Sequence, residues 1–158
     1  MSPRVLILLI ATVYLSPDTI ARQAATPIGS YTLVSAGAHE LPIFVSHVVR
    51  YEGTTIQSGS LELMRGGRMK AAIVVSFTDS GTVTDTILAD GQWKAAGGSV
   101  RLTYQWSQPR WQGGPRVYQS GRPISGWVSR SELTLAEFAY FNAQFFGSSA
   151  PLRFKRVR

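Results

Sequence analysis

The chain contains no cysteine. That excludes disulfide staples, thiolate metal sites and a cysteine nucleophile, and it leaves no residue for lipid attachment behind a leader. Only two histidines occur, His39 and His47, and neither has a second ligand at a metal-like spacing, so no zinc or histidine-based catalytic centre is expected. Acidic residues number nine. Asp79, Asp85 and Asp90 lie in or near turns without the alternating oxygen ligands of a calcium loop. No carboxylate pair, Gly-X-Ser-X-Gly elbow or phosphate-cradling glycine loop is present, and Gly66-Gly67 reads as a hairpin turn. The expectation is a protein without catalysis, cofactor or metal.

At 158 residues the chain has the length of one domain. Its start carries Arg4 and then an apolar run from Val5 to Leu15, broken by Ser16-Pro17-Asp18. Such a run is too short for a bilayer core that needs roughly 20 residues, but it suits the apolar region of a secretory leader. Small residues at Ala21, Ala24 and Ala25 place cleavage between positions 21 and 25. Residues 1–25 are thus read as a signal peptide, residues 26–158 as the folded domain, and the location as periplasmic or secreted. The competing reading of the same run is an uncleaved anchor or a frayed helix.

Sixteen Lys and Arg give a net charge of +7, which falls to +6 once Arg4, Arg22 and Asp18 leave with the leader. Charge of that sign steers towards nucleic acid, anionic lipid or lipopolysaccharide. Most basic residues, however, stand singly in turns and outward strand positions: Arg50, Lys70, Lys94, Arg101 and Arg130. A cluster occurs only at Arg153, Lys155, Arg156 and Arg158. Such a distribution reads as a solvated exterior with a basic tail.

The centre of the chain, Ser58 to Ser107, alternates with a period of two. Leu61 and Leu63 alternate with Ser60, Glu62 and Met64; Met69, Ala71, Ile73, Val75 and Phe77 alternate with Lys70, Ala72, Val74, Ser76 and Thr78; Val100, Leu102, Tyr104 and Trp106 alternate with Arg101, Thr103, Gln105 and Ser107. Period two sends one set of side chains inward and the other to solvent, and the Gly-rich turns between the runs make the strands antiparallel. Thr82 to Ala95 reads as one long strand bent by a bulge at Gly91, in preference to a hairpin at Asp90-Gly91.

Further strands are expected at Gly29–Ser35, Ile43–Tyr51, Arg116–Gln119, Pro123–Ser129, Ser131–Leu135 and Leu152–Lys155, with Arg156 frayed at the end. Eight to ten short strands with short connections close readily into a barrel, which removes exposed edges. The fold class is therefore all-β, an antiparallel up-and-down β-barrel. Between Thr134 and Gly147 the pattern changes. Thr134-Leu135-Ala136-Glu137 resembles a capping box, and Phe138, Tyr140, Phe141, Phe145 and Phe146 crowd nine positions. This stretch is read as a strand to about Glu137 and then a short helix or aromatic loop, acting either as a lid over a cavity or as a plug completing the core.

Gly29-Ser30-Tyr31-Thr32-Leu33-Val34-Ser35, Glu40-Leu41-Pro42, Gly59-Ser60-Leu61-Glu62-Leu63, Gly91-Gln92-Trp93, Gly98-Ser99-Val100-Arg101-Leu102 and Leu152-Arg153-Phe154-Lys155-Arg156 together resemble the small exported bacterial lipocalin-like proteins. The resemblance covers most of residues 29–156. It implies a lipocalin-like barrel with an interior pocket for a small apolar ligand. The loop around Trp111 and the segment from Phe138 to Ala150 depart from it.

Three functions compete on these residues. The first is a monomeric carrier or sensor for a small apolar molecule, its cavity lined by Tyr31, Leu63, Ile73, Trp93, Tyr104, Trp106 and Trp127 with Phe141 and Phe145 at the mouth. The second is a filled barrel that binds an acidic protein or an anionic envelope surface through its basic exterior. The third stacks single-stranded nucleic acid on Trp111 or Trp127 beside Arg110 and Arg116, against which export and the scatter of basic residues both count. The first is the principal expectation, and nucleic acid is not expected as a partner.

Overall fold

The computed structural model describes residues 26–45, 54–78, 82–107, 115–136 and 151–158. Among the described residues eleven strands run in chain order: β1 (Gly29–Ala36), β2 (His39–Glu40), β3 (Ile43–Val45), β4 (Thr54–Leu63), β5 (Arg68–Thr78), β6 (Thr82–Ala96), β7 (Ser99–Ser107), β8 (Tyr118–Ser120), β9 (Ile124–Val128), β10 (Glu132–Leu135) and β11 (Leu152–Arg156). Eight of them, β1, β4, β5, β6, β7, β9, β10 and β11, close a ring, because β1 pairs with β11 on one side and with β4 on the other. Every pairing is antiparallel, and past β4 the ring follows the chain. This is an antiparallel up-and-down β-barrel, as the alternation predicts, and it is consistent with the lipocalin-like barrel that the resemblance implies.

Three strands lie outside the ring. β2 folds back on the end of β1, β3 pairs with the first residues of β4 where β1 has turned away, and β8 continues the line of β9 along β7. Register shifts occur between Leu33 and Ser35 and between Ile56 and Ser58, on the two strands that separate here. Nearby, a Cβ on Gly59 would stand 2.9 Å from the Leu33 Cβ, so glycine lets the strands cross closely before they part.

The long strand β6 is continuous, but no bulge occurs at Gly91: its pairings with β5 and β7 run through without a shift. Glycine is required there for clearance instead. A Cβ at Gly91 would lie 2.1 Å from the Thr103 carbonyl oxygen and 2.6 Å from the Tyr104 Cα, so β6 and β7 cross nearly in contact. Gly97 and Gly98 both take positive φ, +58° and +84°, as a two-residue hairpin matched to strand twist requires.

The two ends of the barrel differ. At one, Met64–Gly67, Gly97-Gly98 and Ser129–Ser131 make tight connections, with a single turn of 3-10 helix at Arg65–Gly67. At the other end the described chain breaks off at residues 45, 78, 107 and 136, and the connections 46–53, 79–81, 108–114 and 137–150 lie outside the described residues. The expected extension of β3 to Tyr51, the Trp111 loop and the aromatic segment from Phe138 fall within them.

Candidate ligand-binding site

One layer of the barrel shows how the interior is occupied. Tyr31 pairs across to Leu61, Leu61 to Ala71, Ala71 to Ala89 and Ala89 to Trp106, so two large rings face two alanines within a single cross-strand row. All five are buried. Alternating large and small side chains let the layer interdigitate at the density of a protein interior. Tyr104 is seated in the same manner: a Cβ on Gly121 would fall 2.4 Å from its ring.

Of the residues expected to line a cavity, Tyr31, Leu63, Ile73, Tyr104 and Trp106 point inward and are buried. Trp93 also faces the core, half-buried, and its indole N–H donates to the Met64 carbonyl at 2.9 Å. Trp127 does not join them. Ile124 and Gly126 hold the inward phase of β9, and Trp127 stands outside with 58% of its surface exposed. The reason lies next door: a Cβ at Gly126 would meet the Thr134 carbonyl oxygen at 2.2 Å. Phe141 and Phe145 lie outside the described residues. These buried side chains belong to one hydrophobic cluster in the described interior.

A clamp closes the tight end. Arg156 occupies the inward phase of β11 after Leu152 and Phe154, and it is held in the strand instead of fraying. Its guanidinium lies 5.2 Å from the Tyr31 ring centroid and donates to the Tyr31 hydroxyl at 2.6 Å and to the Thr26 carbonyl. Tyr31 in turn donates to the Pro27 carbonyl at 2.6 Å. This ties the segment entering β1 to the last strand. Beside it a small hollow of about 270 Å³ separates Thr26-Pro27 from the Ala95–Val100 hairpin.

Towards the opposite end the wall is mended by side chains. Backbone pairing between β6 and β7 stops at Ala89 and Trp106, leaving the ladder groups of residues 86 and 88 without a strand. The Ser107 hydroxyl accepts from the Leu88 N–H at 2.9 Å, and Arg116 donates to the Thr86 carbonyl at 2.6 Å and to the Ser107 hydroxyl at 3.2 Å. Arg116 also pairs with the inward carboxylate of Asp85 at 3.4 Å, the two being 21% and 8% exposed. A buried carboxylate needs such a partner. Arg116 is therefore spent on the wall, which removes one of the cations a stacked nucleic acid would use.

The terminal basic cluster is likewise divided. Arg153 reaches Glu132 at 3.4 Å and Arg156 turns inward, leaving Lys155 and Arg158 on the surface. Among the described residues no three His, Cys, Asp or Glu side chains converge as a metal site requires. His39 sits exposed on β2, while His47 is outside the described residues.

A ligand-sized concavity lies on the outer face of the barrel. Two outward cross-strand rows build it. Thr32, Ser60, Ala72 and Leu88 form a low floor across β1, β4, β5 and β6; Ser30, Glu62, Lys70 and Asp90 form the taller row beside them. Tyr118 rises at the β6 side, beside Ser107, and Val157 at the β1 side, where its N–H donates to the Ser30 carbonyl at 2.8 Å. The furrow has a volume of about 500 Å³, within the ~300–1,000 Å³ typical of small-molecule sites. Tyr118 and Val157 keep 45% and 54% of their surface exposed, large for apolar side chains.

Most of the furrow's polar side chains are unspent. Among the described residues Asp90 accepts from the Gln105 amide at 3.2 and 3.4 Å, whereas Ser30, Thr32, Ser60, Glu62 and Lys70 make no side-chain hydrogen bond. Reading the sequence as strands places all these residues on the solvent face and stops there. What makes a site of them is register, which sets three short side chains and Leu88 in one row and longer ones in the next; the alternation of single strands carries no such information. No family model, curated protein or solved structure matches this chain, so the site stands on its geometry alone.

Proposed function

We propose that the protein is an exported, monomeric, non-catalytic barrel that binds a small molecule, and that the binding site is the outer furrow between Tyr118 and Val157. The observation that carries this is the coincidence, in one concavity of about 500 Å³, of a low floor of short side chains with Leu88, exposed apolar flanks and unspent hydrogen-bonding groups. Affinity would come from covering Ala72, Leu88, Tyr118 and Val157, and selectivity from the polar row. The packed layer from Tyr31 to Trp106 favours this placement over an interior pocket. Export rests on the composition of residues 1–25. The division of the terminal cluster between Glu132, Tyr31 and solvent counts against docking to an anionic envelope surface through the tail.

Native mass spectrometry on protein purified without denaturation from its own envelope tests the reading. Ala72→Phe fills the furrow from an outward, half-exposed position without touching the core, whereas Ile73→Val trims the interior. A retained small-molecule adduct that disappears in Ala72→Phe and persists in Ile73→Val is the expected result. An adduct that persists in Ala72→Phe and is lost in Ile73→Val, or a protein that neither retains a molecule nor binds any of a panel of dyes and amphiphiles, would overturn it.

A further inference from the structure

We infer that the furrow's ligand is a neutral oligosaccharide, an inference that rests on the furrow being the binding site. The first ground is the kind of hydrogen-bonding capacity on offer. Ser30, Thr32 and Ser60 present hydroxyls that both donate and accept, Glu62 and Asp90 present acceptors, and Lys70 presents donors. A ligand whose own groups both donate and accept can use this whole set. Hydroxyl groups do so, and a chain of sugar rings carries them along every edge.

Charge is the second ground. Lys70 stands directly between Glu62 and Asp90 in one cross-strand row, so each carboxylate offsets the ammonium within the furrow. An anionic headgroup would meet two carboxylates for one cation, although the protein as a whole is strongly basic. For a cation, Lys70 offsets one of the two carboxylates, and the exported domain's net charge of +6 opposes its approach. A neutral ligand meets neither the repulsion of the two carboxylates nor that of the net positive charge.

The third ground is shape. From Thr32 to Leu88 the floor crosses three strand spacings, about 14 Å at ~4.8 Å each. Open along its length, it suits a ribbon of linked rings. A fatty acyl chain would fit the length but would lay methylenes against Glu62, Lys70 and Asp90, desolvating charges with nothing returned. At the β6 side the half-exposed ring of Tyr118 offers a flat apolar face, which matches the C–H face of a pyranose.

The test is a glycan array spanning neutral, acidic and amino sugars, followed by calorimetry with each neutral oligosaccharide retained. Neutral oligosaccharides are expected to bind with dissociation constants of about 1 mM or tighter, acidic and amino sugars not to bind, and Tyr118→Ala to weaken binding about tenfold while Tyr118→Phe preserves it. Absence of neutral-sugar binding, or equal weakening in both Tyr118 variants, overturns the inference. If in that case a neutral apolar dye binds the protein and is excluded by Ala72→Phe, the furrow stands as a site and the saccharide alone falls. If Ala72→Phe excludes no ligand at all, both fall together.

Discussion

Arg156 crosses from the last strand of the barrel to the first, and its guanidinium rests 5.2 Å from the centre of the Tyr31 ring while bonding the Tyr31 hydroxyl at 2.6 Å. The contact joins residues 125 positions apart, so it holds the ring of strands at its closing seam. It also leaves the Arg156 Nε buried without a hydrogen-bond partner, a cost that the cation–ring contact must offset.

Removing either side of that contact should loosen the seam. Tyr31→Phe is expected to cost about 1–2 kcal/mol, since it deletes a hydroxyl that donates to Pro27 and accepts from Arg156. Arg156→Ala should cost a similar amount, and the double variant less than the sum. Urea unfolding of the four proteins checks this; strictly additive losses would show that the two side chains are not coupled.

Glycine substitutions separate clearance from conformation. Gly91→Ala drives a methyl into the Thr103 carbonyl and should cost more than about 3 kcal/mol or prevent folding. Gly97→Ala meets nothing within 4 Å and pays only for its positive φ, about 1 kcal/mol. Comparable losses in the two variants, read from thermal unfolding, would contradict the close crossing of β6 and β7.

The wall patch at Arg116 predicts a local effect. Arg116→Ala leaves Asp85 without this partner and the Thr86 carbonyl without a donor, at an expected cost of about 1–3 kcal/mol, less than for a fully buried pair because Arg116 is partly exposed. Amide hydrogen exchange should rise at residues 85–88 well above the global change. Uniform acceleration across the barrel would mean that the patch is not a local closure.

Two tryptophans, read alike in the sequence, should behave oppositely. Trp106→Ala opens a hole in the core layer and is expected to cost about 3–5 kcal/mol, whereas Trp127→Ala, on the outer face, should change stability by no more than about 0.5 kcal/mol. Chemical denaturation of both variants decides the point.

The barrel was legible because β4, β5 and β7 alternate with a period of two, and because the described turns after β4 and β6 are glycine pairs, Gly66-Gly67 and Gly97-Gly98, at positive φ. Trp127 shows where that legibility ends. Hydropathy favours a tryptophan inside over a glycine, but the contact that keeps Gly126 inward is with a carbonyl on another strand, Thr134, and a single strand holds no record of it. Arg156 misled for a related reason: an arginine at the end of an apolar phase looks like fraying until Tyr31 is brought across from the other terminus. The furrow was invisible for the most general reason. Thr32, Ser60, Ala72 and Leu88 become one floor only through three registers, each spanning a different pair of strands.

Methyl nuclear magnetic resonance tests the placement of the site most directly. The protein is labelled at alanine, leucine, valine and isoleucine and titrated with the molecule that copurifies with it, or with Nile red. A site on the outer face predicts saturable shifts at the methyls of Ala72, Leu88 and Val157, with Ile73 and Ile87 unmoved inside the barrel. Shifts centred on Ile73 and Ile87, with Ala72 and Leu88 silent, would place the ligand in the interior and contradict it.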